Sequence, residues 1–136
     1  MNFNGYLIKF IKTNSLFPHK FIERGTYKST PLERQEIKKY RDNNNELHIV
    51  VSPNYKTKIE FSTFELNLSQ VQELRDALFS AMGVQQIRKI QLEYWDDELM
   101  DYRTAWFRMY DITYPVDTIS HNSIKYKAIQ FMFEEI

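Results

Sequence analysis

Apolar and polar positions alternate along most of this chain with the two-residue period of half-buried strands, and one stretch shifts to the longer period of a helix. That stretch is 67–83, NLSQVQELRDALFSAMG. Val71, Leu74, Ala77, Leu78, Ala81 and Met82 share a stripe at three- and four-residue spacing, while Glu73, Arg75 and Asp76 fall largely outside it. Two starts fit. Ser69 can cap with Gln72 completing a capping box, or Asn67 can cap with Gln70, placing Leu66 against Val71 as a hydrophobic staple. Gly83 is the expected residue just past the end, because it adopts a left-handed backbone without a Cβ penalty.

Strands are expected at Tyr6–Ile11, Phe17–Tyr27, Leu47–Val51, Lys58–Leu66, Ile90–Tyr94, Thr104–Tyr114 and Ile124–Phe133. Gly25 marks a bend in the second, and the phase change after Phe61 marks a bulge in the fourth. In the sixth, Ala105, Phe107 and Met109 fall on one face, with Trp106, Arg108 and Tyr110 on the other. Turns fall at Lys12-Thr13-Asn14 and Ser52-Pro53-Asn54, a hairpin loop at 96–101, and a loop at 117–123 after Pro115. The order predicts a mainly β fold with one helix: a β-sandwich or partly open barrel of about seven strands flanked by a single α-helix, one domain over 1–136.

One connection does not fit a compact sandwich. Residues 24–46 form a long polar arm between early strands. Thr30-Pro31-Leu32-Glu33 has the form of a helix start, yet Leu32, Ile37 and Tyr40 are the only apolar positions after it, and Asn43-Asn44-Asn45 ends whatever forms. Between Arg24 and Arg41 the arm carries six cations, Arg24, Lys28, Arg34, Lys38, Lys39 and Arg41, against two glutamates. A solvated loop is one use of such a segment, and an arm that orders against a partner is the other.

Charge sharpens this reading. The chain is neutral overall, which argues against nonspecific nucleic-acid binding as its main activity, and no sequence-specific nucleic-acid partner is expected. Residues 1–68 nevertheless hold 11 Lys/Arg against 7 Asp/Glu, and residues 69–136 hold 7 against 11. The acidic half concentrates its charge in the hairpin loop at Asp96, Asp97, Glu98 and Asp101. Those acids lack calcium-loop spacing, and a hairpin tip rarely supplies the cleft that paired catalytic carboxylates need. Cysteine is absent, so thiol chemistry and cysteine-ligated zinc are excluded. His19, His48 and His121 share no metal-ligand spacing, and no phosphate-binding or nucleophile motif occurs. No signal peptide opens the sequence, and no apolar run reaches membrane-spanning length. The expectation is a chain without catalytic residues, cofactor, metal or membrane contact. The closing strand, IKYKAIQFMF, interleaves basic and aromatic residues but lacks the glycine of an RNA-binding signature, so it reads as a sandwich face.

Read together, YWDDELMDYRTAWFRMYDITYPV and IKYKAIQFMFEE resemble the C-terminal half of a family of small tail proteins of phages infecting Gram-positive bacteria. The resemblance rests on Tyr94-Trp95, the acidic turn, Tyr102, Thr104, Phe107, Asp111-Ile112 and Pro115, and the tyrosine-containing closing strand. It implies a tail-tube-like fold, location in the virion tail, and assembly into a homo-oligomeric ring, possibly a hexamer, alongside other phage tail proteins in the tube, tip or hub. In proteins of that kind a long loop between early strands reaches over the neighbouring subunit, which here corresponds to 24–46. The basic arm, with Leu32, Ile37 and Tyr40 supplying apolar burial, is then expected to dock on Asp96, Asp97, Glu98 and Asp101 of the next copy. The alternative is a standalone binding module, a partial barrel for oligonucleotides or saccharides. An enzyme using the acidic tip ranks last.

Overall fold

The computed structural model describes residues 3–34, 36–51, 55–84 and 86–136. The turn expected at Ser52-Pro53-Asn54 lies outside these residues. Among these residues thirteen strands and one α-helix follow in the order β1 (Ile8–Phe10), β2 (Ser15–Leu16), β3 (Lys28–Glu33), β4 (Glu36–Arg41), β5 (Leu47–Val51), β6 (Lys56–Ser62), β7 (Leu66–Asn67), α1 (Leu68–Ala81), β8 (Met82–Val84), β9 (Lys89–Asp96), β10 (Asp101–Met109), β11 (Val116–Ile119), β12 (Ile124–Tyr126) and β13 (Gln130–Glu135).

The main sheet runs β2-β1-β9-β10-β13-β6-β3, with β8 added beside β9. Its antiparallel register puts the alternating apolar positions of its central strands on one face. Ile8 lies opposite Tyr94, Phe10 opposite Leu92, Ile90 opposite Phe107, Met109 opposite Phe133, and Phe131 opposite Phe61. All of these residues are buried. Each contributes roughly 1.5–3 kcal/mol through the apolar surface it removes from water. The outward face instead pairs charges across strands, Lys9 with Glu93, Arg108 with Glu134 and Lys28 with Glu60.

The sheet folds over itself into sandwich-like layers without closing into a barrel. Thr57 of β6 and Tyr94 of β9, separated in the sheet by β10 and β13, bring their hydroxyls to 2.9 Å. Phe17 bridges the same gap, its ring centroid 5.9 Å from Phe10 and 5.1 Å from Phe61. Helix α1 flanks this core, burying Val71, Leu74, Leu78 and Ala81. Its start is Asn67, whose side chain accepts from the Gln70 amide while Gln70 reaches back to the Asn67 amide.

The helix does not end on a left-handed glycine. Met82 is already extended, and 82–84 are captured as a strand beside β9. Gly83 instead lies close under the Trp106 ring, which a Cβ there would meet at 3.2 Å, so a larger residue would require the half-exposed ring to shift by a few tenths of an ångström. The Lys12 ammonium, arriving from the first turn, donates to the Met82 carbonyl just past the helix end.

Other strand expectations change as well. Phe17–Tyr27 is not a strand; a single 3-10 turn at His19–Phe21 is followed by a turn at Gly25 with φ 84°. The expected closing strand divides, because β12 joins β11 and β7 in a separate three-stranded sheet while β13 enters the main one.

Candidate assembly surface

The arm is two structures. Its first part, β3, is the edge strand of the main sheet, paired with β6. The helix start expected at Thr30-Pro31-Leu32-Glu33 is overruled by this pairing. Pro31 and Leu32 sit where the register breaks between Thr30 and Glu33, with Leu32 at φ 48°, a bulge that tolerates a proline lacking its amide hydrogen. Leu32 is half-buried and its amide donates to Thr57 Oγ1 at 3.1 Å, so it anchors the arm to its own body.

The second part, β4 and β5, is a hairpin that pairs with no other strand among the described residues. Its turn is organised by Asp42, whose Oδ1 accepts from the amides of Asn44 and Glu46, while Oδ2 lies 2.8 Å from His48 Nε2. Asn45 takes the left-handed position at φ 63°. The His48 contact, with the two amides, holds the Asp42 carboxyl below its ordinary value. Asp42, Glu46 and His48 bring their ligand atoms within 4.8 Å of one another, a cluster the sequence reading passed over for want of a familiar spacing. Both Asp42 oxygens already serve the turn, so the cluster works as a clasp on the hairpin.

The six arm cations therefore separate. Arg24 lies in the turn near the far end of β6, and Lys28 sits on β3 opposite Glu60. Arg34 covers the Tyr55 ring at 4.4 Å and donates to the Leu32 carbonyl. Lys38, Lys39 and Arg41 belong to the hairpin. Strand alternation gives the hairpin two unlike faces. Tyr40 stacks on His48 on one, and Lys39 and Arg41 lie opposite Ile49 and Leu47 on the other. Leu47 is 41% and Ile49 48% exposed. Ile37 lies on β4, with its side chain outside the described ones.

The acidic tip also separates. Asp96 is 1% exposed, and its Oδ1 accepts from the Glu98 and Leu99 amides at 3.0 Å each, with Arg103 at 3.6 Å from Oδ2. It shapes the turn, and unlike the solvated charge expected at this position it presents almost no surface. Asp101 is half-buried and accepts from the Tyr102 amide. Asp97 and Glu98 remain exposed, followed by the exposed Leu99 and Met100. No ion pair joins the arm cations to the tip acids among the described residues.

Other concavities offer less. The larger open groove, about 470 Å³, lies between Gly25, Glu60, Tyr110 and Met132, and brings together no nucleophile with an oriented base among the described residues. No described helix is long and apolar enough to cross a membrane.

These features define a mainly β fold with one flanking helix and a projecting hairpin. The chain belongs to DUF6711, a family of unknown function whose model matches residues 1–135. No curated protein matches its sequence. Two solved structures share the fold. One is a chain of the tail of an empty gene transfer agent particle refined with C6 symmetry, at 13% identity and a TM-score of 0.50. The other is a chain from the virion of a native gene transfer agent particle, at 11% identity and a TM-score of 0.51. Each likeness covers 100% of this chain and 94% of the other. Neither supports the Gram-positive host that the sequence resemblance implies.

Proposed function

We propose that this chain is a structural protein of a phage-like virion tail, not an enzyme, and that copies of it assemble into a ring in the tube, tip or hub. The observation that carries this reading is the 36–51 hairpin. Among the described residues it has no strand partner outside itself, and it exposes Tyr40, Leu47 and Ile49. An isolated two-stranded hairpin is marginal in water, so a second surface that covers it stabilises it. The full-length fold likeness to chains of a gene transfer agent tail and virion points the same way, and the sixfold symmetry of that tail makes a hexamer the specific form proposed.

The test compares the intact chain with one in which 36–51 is replaced by a short Gly-Ser turn. Light scattering and negative-stain microscopy at high protein concentration should show rings or stacked tubes for the first and monomers for the second. A monomeric intact chain under every condition, or rings that survive loss of the hairpin, would sink the role given to it.

A further inference from the structure

Resting on that reading, we infer that the hairpin face bearing Lys39, Arg41, Leu47 and Ile49 seats on the 97–100 tip of a second copy of this chain. The two surfaces match in kind as well as in charge. One carries two cations beside two exposed aliphatic side chains, and the other carries Asp97 and Glu98 beside Leu99 and Met100, which are 58% and 56% exposed. Arg41 is partly pre-ordered, because its guanidinium donates to the Asn45 carbonyl of its own turn.

Placement supports a lateral contact. The hairpin leaves the body beside Glu33 and Lys56, next to Thr57, and the tip leaves it beyond Tyr94, whose hydroxyl meets Thr57. Both therefore emerge from one end of the folded sheet. In a ring whose axis runs along the strands every copy presents that end at one height, which puts each hairpin level with its neighbour's tip. At about 3.3 Å per residue the six residues of β4 span about 20 Å, enough to leave its own body. Two different patches in contact make a head-to-tail interface, which closes into a ring when the rotation permits. Lys38, with Tyr40 and His48 on the opposite hairpin face, is left outside this contact.

The absence of cysteine provides a direct test. Chains carrying both Ile49→Cys and Leu99→Cys should form a ladder of disulfide-linked oligomers under mild oxidation, while chains carrying Ile49→Cys with Ile119→Cys should not. Alongside, Asp97→Lys with Glu98→Lys should weaken self-association at least tenfold at low salt, and adding Lys39→Glu with Arg41→Glu should restore it. Equal cross-linking by both cysteine pairs, or reversal at the tip without effect, would overturn the pairing while leaving ring formation intact. A failed restoration would also overturn it. If the unaltered chain never associates, the ring reading fails first.

Discussion

Replacing Asp96 separates a residue that builds the tip from one that meets a partner. Its buried carboxylate accepts two backbone amides through Oδ1, and hydrogen bonds to a charged group contribute about 1.5–3 kcal/mol each. The freed amides of Glu98 and Leu99 sit at an exposed tip and regain part of that by hydration, so Asp96→Ala should cost roughly 2–4 kcal/mol. Arg103 adds little to this figure, being 3.6 Å away and about a third exposed. Asp96→Asn keeps a carbonyl oxygen for both amides and loses only the charge, which reduces the cost to about 1 kcal/mol. Urea unfolding reads the difference directly, since a slope of about 2 kcal/mol/M turns the alanine cost into a midpoint shift of about 1–2 M. Asp97→Ala, at an exposed position, serves as the control and should stay within about 0.5 kcal/mol of the parent. The reasoning is refuted if Asp96→Ala also stays within that margin while self-association falls, because Asp96 would then act on a neighbour.

Two further outcomes follow from local geometry. Asn67→Ala removes the side-chain oxygen that accepts from the Gln70 amide, leaving the residue-67 amide free to donate to Gln70 Oε1, and should cost about 1 kcal/mol in thermal or urea unfolding, whereas Ser69→Ala should be nearly silent. His19 is half-buried, and its Nε2 accepts from the amides of Leu7 and Ile8 at 3.1 and 3.3 Å. Burial lowers its pKa below the ordinary 6.5, so the unfolded chain binds that proton more readily. Stability should therefore fall as pH drops from about 6.5 toward the lowered value, and His19→Gln should flatten the melting temperature across that window. Parallel profiles for parent and variant would remove this account.

The neighbours named in the tail and virion structures share little sequence with this chain, 13% and 11%, yet span it completely. That combination is what a fold held by pattern permits. The inward set of Ile8, Phe10, Ile59, Phe61, Ile90, Leu92, Phe107 and Phe133 requires apolar bulk at alternating positions, and several residue types meet that requirement. On the proposed pairing the hairpin and tip are under a different constraint, since charge sign and face would decide what they touch. Substitutions there should separate assembly from stability, while substitutions on the inward set should affect both.

Local pattern was enough for the elements whose stabilisation is local or strictly periodic. The stripe of α1, the alternation in β9 and β10, and the mainly β class with one helix are all legible in the chain, because period and burial are the same fact seen twice. Asn67 and Ser69 were equally good caps on paper, and the pairing of 66–67 with β12 selected Asn67 by holding the preceding residue extended. Only tertiary structure decided the rest. The pairing of β6 drew 28–33 into the sheet against its own helix-start signal, and packing of Phe17 and Phe21 into the core replaced a strand with a turn. Burial turned Asp96 from a surface charge into a turn builder, and strand alternation sorted the arm cations onto separate faces. Those outcomes depend on residues far apart in sequence coming together, and no local period records which distant partner a segment will find.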